Sequence, residues 1–240
     1  MEQFADRTAR SQLMAGPSPE RLADLTNTIN LKADSEIAVA HVQGPAVACR
    51  KGCAHCCFQF VTTIIPEVLH LAATIKATYT SERLAALEAR IEAYLSGIES
   101  VPRPKRTSTV KDACPILEND LCGAFEARPL ACRLHNSIDV EACIRYKSGE
   151  RKVPALSNGA QIRIGNALLL GCAAGLRRSR LQEALVELIP ALDIALRTPD
   201  AAERYLAGEP LFDAVIVAGY DPSVVRRYIR ASQTIGISLD

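Results

Sequence analysis

The segment that decides the fold reads Cys49-Arg-Lys-Gly-Cys53-Ala-His-Cys56-Cys57, with four cysteines in nine residues. Spacings of two and three residues place thiolates within reach of one metal ion or cluster, because a tight turn can aim both sulfurs inward. Gly52 supplies the backbone freedom that such a turn commonly needs. Further cysteines stand at positions 114, 122, 132 and 143, so eight of the nine lie between 49 and 143. The sequence therefore predicts an irregular metal-binding segment here.

Helical signals flank this segment on both sides. A capping residue followed directly by proline marks a helix start, because its side-chain oxygen accepts an unpaired N–H and proline has none to leave unpaired. Leucines and isoleucines recur every three or four residues from Ser81 to Ile98 and predict an amphipathic helix. Gly171 and Gly175 would let another helix approach closely. Helix starts are predicted at Ser18-Pro19, Pro66, Thr198-Pro199 and Asp221-Pro222, a helix over 158–178, and another over 180–197, kinked or split at Pro190.

These elements predict a mainly α fold. The prolines and basic residues of 101–109 favour an extended, solvated loop. We find neither an alternation of strands with helices nor an internal repeat. We therefore expect a single helical domain over 1–240, with a cysteine-cluster metal-binding module at 45–150 within it.

The composition indicates which cellular compartment and which classes of partner to expect. The 240 residues carry 28 Lys+Arg against 27 Asp+Glu, and aromatic residues make up 5% with no Trp, which argues against nucleic acid as a partner. The first twenty residues lack the apolar core of a signal peptide, and the apolar run from Ala167 to Leu176 is too short to span a membrane. We expect a soluble cytoplasmic protein with no membrane partner. In a reducing compartment, clustered cysteines usually bind metal or act in catalysis.

The ligand type restricts the metal. An all-thiolate set prefers zinc, iron–sulfur clusters or Cu(I) over magnesium, calcium and manganese. Neighbouring Cys56 and Cys57 are awkward as two ligands of one tetrahedral ion, which leaves open two sites, a bridged polynuclear site, or one ligand beside a separate structural or redox thiol. We predict zinc or iron, with a [4Fe–4S] cluster among the open identities. The candidate metal ligands are Cys49, Cys53, Cys56, Cys57, Cys114, Cys122 and Cys132.

Two arginines are candidates for support of such a site. Pro129 forces Arg128 into an extended conformation, and Arg128 and Arg133 could offset the negative charge of clustered thiolates. The alternative for Arg128 is a surface pair with Glu126. The roles of Cys143, His55 and His135 stay open. Cys172 is expected to be a core residue.

Several separated motifs resemble the YkgJ-type cysteine cluster family, also called the CxxCxxCC or zinc- or iron-chelating family. The similarity is carried by residues 49–57, the stretch 61–67 leading into a helix, Cys-Pro-Ile-Leu at 114–117, and Cys-Gly-Ala-Phe-Glu-Ala-Arg-Pro-Leu-Ala-Cys-Arg at 122–133. Two features depart from the family pattern: the first cysteine interval is three residues, and Phe125 replaces the usual tyrosine. The resemblance implies metal chelation. A related cluster occurs in flagellin lysine methylases, which resemble iron–sulfur enzymes.

Three functions follow as hypotheses. The first is a zinc- or iron-binding protein that stores, delivers or senses its metal. The second is an iron–sulfur redox enzyme or methylase-like enzyme without a barrel, since the strand–helix alternation of a barrel is missing. The third is a zinc-stabilised module that binds a protein partner. The chain contains no H-E-x-x-H, Walker or dinucleotide motif, so nothing in it supports a hydrolase, kinase or dehydrogenase. Whether it is an enzyme of another kind stays open.

Overall fold

α-Helices dominate the computed structural model, which describes residues 1–14, 16–148, 150 and 158–217. This confirms the predicted mainly α class. The helices are α1 Glu2–Leu13, α2 Pro19–Gln43, α3 Ile65–Thr78, α4 Ser81–Ile98, α5 Arg103–Thr109, α6 Leu130–Leu134, α7 Val140–Lys147, α8 Gly159–Arg178, α9 Leu188–Arg197 and α10 Ala201–Leu206. The strands are β1 Thr62–Ile64, β2 Leu117–Glu118, β3 Leu121–Cys122 and β4 Leu185–Glu187.

Several helices begin where local sequence predicts. The Ser18 side chain accepts the Arg21 N–H at 3.3 Å and caps α2, whose first residue is Pro19. α3 has Pro66 in its first turn, and α4 spans the predicted residues behind a Thr80 cap. The predicted start at Asp221-Pro222 lies outside the described residues. Within the described ranges, none of the helices combines the length and apolar character that crossing a membrane would require.

Two predicted helix boundaries are wrong. α10 begins at Ala201 rather than at Pro199, the predicted first residue. Asp200, between the proline and the helix, adopts a left-handed conformation with φ 50°. The segment 180–197 is not one kinked helix: it forms β4 and then α9. Pro190 lies in the first turn of α9, where the missing N–H has no helical partner to lose, so no kink is needed.

The basic segment 101–109 is also different from its prediction, since it folds into α5 instead of an extended loop. Arg106 explains the change. Its guanidinium donates to the carbonyls of Val101 (3.0 Å) and Ile98 (3.3 Å) and pairs with the buried Glu187 at 2.6 Å. With 13% of its side chain exposed, Arg106 is part of the fold rather than a solvated charge.

A strand–helix unit occurs twice. β1 runs directly into α3 and β4 runs directly into α9, with similar junctions at Ile64-Ile65-Pro66 and Leu188-Ile189-Pro190. The two strands pair antiparallel, with Thr63 opposite Val186, and the two helices pack together. The Ile-Pro dipeptide that the two junctions share is too short to be recognised as a repeat in sequence. This unit matters for the site because β1 follows the first cysteine segment after only a few residues.

Helices α1 and α8 approach each other closely through glycine, as the sequence predicts. A β-carbon on Gly171 would collide with the backbone carbonyl of Glu2, and one on Gly175 would collide with the β-carbon of Ala9. Ala5 and Ala9, the facing residues of α1, are fully buried. Small side chains on both helices therefore set the distance between them.

We expect Gly171→Ala to lower the free energy of unfolding by about 1–3 kcal/mol, because the obstacle is backbone that cannot rotate away. The matched control is Gly97→Ala in α4, where an added β-carbon meets nothing within 4 Å. Alanine there should raise the free energy of unfolding by about 0.5–1 kcal/mol through helix propensity. Urea denaturation of both variants checks the pair, and equal effects would contradict the packing argument.

Candidate metal centre

Tight turns shape the first cysteine segment. The Cys53 N–H donates to the Arg50 carbonyl at 2.9 Å, and Gly52 within that turn has φ +83°, the left-handed conformation that favours glycine. A 3₁₀ turn follows over His55–Phe58, in which the Cys57 N–H donates to the Ala54 carbonyl at 2.9 Å. The predicted role of Gly52 in the turn is confirmed.

The second cysteine segment is joined directly to the first. The Cys114 N–H donates to the carbonyl of Cys57 at 2.7 Å, which closes a gap of 57 residues in the sequence. Beyond Cys114 the chain forms the hairpin β2–β3, in which Leu117 lies opposite Cys122. Asn119 and Asp120 make the turn with φ of 50° and 61°. The hairpin thereby returns Cys122 to the neighbourhood of Cys114.

Helix α4 holds this hairpin in place. Glu118, at the end of β2, pairs with Arg83 at 2.7 Å and with Arg90 at 2.8 Å. Arg90 also donates to the Pro115 carbonyl at 2.8 Å. Hydrogen bonds from Arg83, together with both positive charges, lower the pKa of Glu118 and keep it ionised. Two charged contacts and one backbone contact thus fix the segment between the two cysteines.

A buried carboxyl group positions the helix that carries Cys132. Glu67, 3% exposed, accepts the Leu130 N–H at 2.6 Å and the hydroxyl proton of Thr63. Leu130 is the first residue of α6, so Glu67 provides an acceptor for one of the N–H groups that have no partner within that helix. Burial raises the pKa of Glu67 despite these hydrogen bonds. The stretch 61–67 therefore holds the start of the helix that carries Cys132.

The two arginines singled out from the sequence occupy different positions. Arg133 is buried, pairs with Asp34, and donates to the carbonyls of Glu126 and Arg128, the latter at 3.0 Å. It therefore braces the loop that leads into α6. Arg128 contacts Phe125 instead, with its guanidinium 3.5 Å from the ring centroid.

Arg128 is the arginine whose positive charge interacts with the thiols of the site. Burial lowers the pKa of its guanidinium, while the charges of Cys122 and Cys132 act in the opposite direction. In return, the positive charge of Arg128 partly offsets the burial that raises the pKa of Cys122. This is the electrostatic relation expected of a group that stabilises a thiolate.

An inner group of thiols comprises Cys56, Cys114, Cys122 and Cys132. Burial raises the pKa of Cys114 to about 11 and that of Cys132 well above its ordinary value. The charge of Cys122 raises both further, as does that of Cys56. A fifth thiol, that of Cys57, adjoins this group, and its hydrogen bond with Cys56 is the main cause that raises the pKa of Cys56. Five sequence-predicted ligands therefore share one environment.

An outer group contains Cys49, Cys53 and Cys143. α7 packs against the 3₁₀ turn, and the Cys49 sulfur lies 4.0 Å from the Ser137 carbonyl oxygen just before α7. Burial raises the pKa of Cys49, and the charges of Cys53, Cys56 and Cys143 add to that rise. Cys143 was not among the predicted ligands. The spacing of about ten residues between Cys122, Cys132 and Cys143 is the sequence signal that could have identified it.

The remaining candidates are placed as follows. His135 contacts Gln59, with 2.9 Å between its Nε2 and the amide nitrogen, and burial lowers its pKa. The Nδ1 atom of His55 is buried and has no hydrogen-bond partner among the described residues. Cys172 is 2% exposed in the core, which confirms its prediction.

All nine cysteines are free thiols, and their chemistry fits zinc or iron. In the described ranges, no group of three or more His, Cys, Asp or Glu side chains is arranged so that it could already hold a metal ion. The thiols lie near enough to affect one another's ionisation without converging. Binding would therefore have to turn their side chains, while the backbone contacts that gather them are in place.

Comparison with known proteins gives one family. No curated protein and no solved structure matches the chain. The family match begins just before Cys49 and extends past Cys143, so it includes every cysteine of the inner and outer groups. Residues 48–152 match the model of the CxxCxxCC family, which is described as "Putative zinc- or iron-chelating domain".

Proposed function

We propose that this protein chelates zinc or iron through the thiolates of its CxxCxxCC domain. The observation that carries the proposal is the hydrogen bond from the Cys114 N–H to the Cys57 carbonyl, which joins the two cysteine segments. Cysteine side chains from both segments thereby enter one neighbourhood. Isolated core cysteines have no reason to gather in this way, whereas metal ligands do.

We assign the ligands to the two groups of thiols. The inner group, together with Cys57, consists of partly buried thiols such as Cys132, from which a metal should exchange more slowly than from an exposed thiol. The outer group includes Cys49, which is exposed. The charge of Cys56 raises the pKa of Cys49 in the outer group and of Cys132 in the inner group, so the two groups are neighbours rather than independent sites. A buried inner metal and an accessible outer one would suit a protein that retains one metal and exchanges another.

Positive charge near the thiols supports the same function. Several metal-bound thiolates carry excess negative charge, which neighbouring cations stabilise. Arg128 supplies such a cation beside Cys122 and Cys132. Lys147 of α7 lies 3.5 Å from the ring centroid of Phe58, at the end of the 3₁₀ turn. Arg133 acts more remotely, by bracing the loop before α6.

The bound metal determines which kind of chemistry is available. Zinc would supply a structural or Lewis-acid centre, and an iron–sulfur cluster would supply a redox centre. The protein's own part is to gather the thiols, bury Cys114 and Cys132 in part, and offset charge with Arg128. Storage, delivery or sensing of the metal needs nothing beyond these residues.

The test is the content of metal and acid-labile sulfide, with an absorption spectrum, in protein purified anaerobically without an affinity metal. We expect zinc or iron bound to the chain. Iron with matching sulfide and a broad band near about 400 nm would favour the redox-enzyme hypothesis. Zinc without colour would favour structural or delivery roles. Protein that contains no metal, and takes up neither Zn²⁺ nor Fe²⁺, would contradict the proposal.

A further inference from the structure

The hydroxyl group of Tyr79 is buried beside the inner thiols without a hydrogen bond. Tyr79 follows α3 and is 9% exposed, and its Oη has no partner among the described residues. A buried hydroxyl without a partner destabilises the fold, because it has lost its hydrogen bonds to water and gained none. In the part of the chain that the structure describes, few side-chain atoms share this condition, which makes a role in another state of the site worth testing.

Two neighbours, Arg83 and Gly123, place the Tyr79 side chain. The Arg83 guanidinium lies 3.7 Å from the ring centroid, and Glu118 fixes that guanidinium at 2.7 Å. The hydroxyl faces Gly123, where a β-carbon would collide with the Tyr79 Oη and lie 3.0 Å from Arg83 Nη2. The absence of a side chain at Gly123 thus allows the phenol to approach the chain next to Cys122.

Cys122 is the metal-ligand candidate that adjoins the glycine against which this hydroxyl lies. It precedes Gly123, and its charge acts on Tyr79. The nearby carbonyl of Ile116 already accepts the Gly123 N–H at 2.9 Å, and Glu118 is occupied by two arginines. A free thiol is a weak acceptor, whereas a thiolate has only lone pairs to offer and a full charge.

Resting on the proposed function, we propose that Tyr79 is a positioning residue that donates its hydroxyl proton in a hydrogen bond to the Cys122 thiolate of the metal-loaded protein. The hydroxyl is unpaired before loading and paired after it. Its buried position costs stability in the free chain and contributes affinity when metal binds. Hydrogen bonds of this kind orient ligands and tune the metal, and their loss commonly weakens binding by tenfold or more.

The test compares Tyr79→Phe with Tyr205→Phe, using Co²⁺ added to metal-free protein as the probe. Tyr205 is also buried, but its hydroxyl donates to the Gln182 carbonyl at 2.7 Å and Gln182 lies outside the cysteine domain. We expect Tyr79→Phe to bind Co²⁺ about tenfold more weakly and to shift the thiolate-to-cobalt band to lower energy. Its metal-free melting temperature should equal or exceed that of wild type.

Tyr205→Phe should show the opposite pattern: a lower metal-free melting temperature, with wild-type Co²⁺ affinity and band energy. The band energy distinguishes a contact with sulfur from a loss of packing, which would not move it. If Tyr79→Phe matches wild type in affinity and band energy, the inference is overturned while the proposed function stands. If wild-type protein binds no Co²⁺, the proposed function fails and the inference with it.

Discussion

The double variant Cys53→Ser with Cys122→Ser is expected to lose most of its bound metal and the stability that the metal provides. It removes one thiol from the outer group and one from the inner group. A ligand present at a thousand times its dissociation constant stabilises a fold by about 4 kcal/mol, which corresponds to roughly 8–16 °C in melting temperature for a domain of this size. Metal analysis and thermal melts of the purified variant measure both effects.

Cys172→Ala is the matched control for this experiment. Cys172 is a buried cysteine of α8, outside residues 48–152. Its replacement should reduce stability modestly by leaving a small cavity, and it should leave the metal content unchanged. A double variant that kept full metal and the wild-type melting temperature would show that the ligand assignment is wrong.

Metal affinity is expected to rise steeply with pH, by about tenfold per pH unit for each proton that the metal displaces. Burial raises the pKa values of Cys49, Cys114, Cys122 and Cys132, so these thiols hold protons at neutral pH and the metal must displace them. The rise should continue until the thiols ionise unaided, which for Cys114 means near pH 11. Competition titrations with a chelator at several pH values measure the slope.

The metal-free protein should respond to pH in the opposite sense. A thiol whose pKa is higher in the folded than in the unfolded chain binds more protons when folded. Its contribution to stability is fully present below the unfolded pKa, about 8.5, and is lost as pH rises toward the folded value. The metal-free melting temperature should therefore begin to fall near about pH 8.5 and, through Cys114, continue to fall toward pH 11. An affinity independent of pH would indicate that the bound metal does not displace protons from these thiols.

Local features of the site could be predicted from the sequence because the interactions that produce them are local. Cys53, Cys56 and Cys57 come together through turns of three or four residues, and the Gly52 conformation that one turn requires is legible in the sequence. α4 was predictable for the same reason, since its apolar stripe repeats every turn. The candidate ligands are thiols, so the expectation of zinc or iron also rests on residue type alone.

Other features depend on contacts between residues far apart in the chain. α5 forms where an extended loop was expected, because Arg106 meets Glu187, 81 residues away. Cys143 joins the outer group because α7 packs on the 3₁₀ turn, and no local pattern contains that packing.

Residue types and short-range spacing were enough to propose the metal ligands and to predict the short turns that carry them. The tertiary structure decided how those residues are grouped. It divided the thiols into two neighbouring groups and brought the Tyr79 hydroxyl against Gly123. Spacing along a chain restricts only near neighbours, whereas the packing of helices and strands determines which distant side chains share a buried, low-dielectric environment.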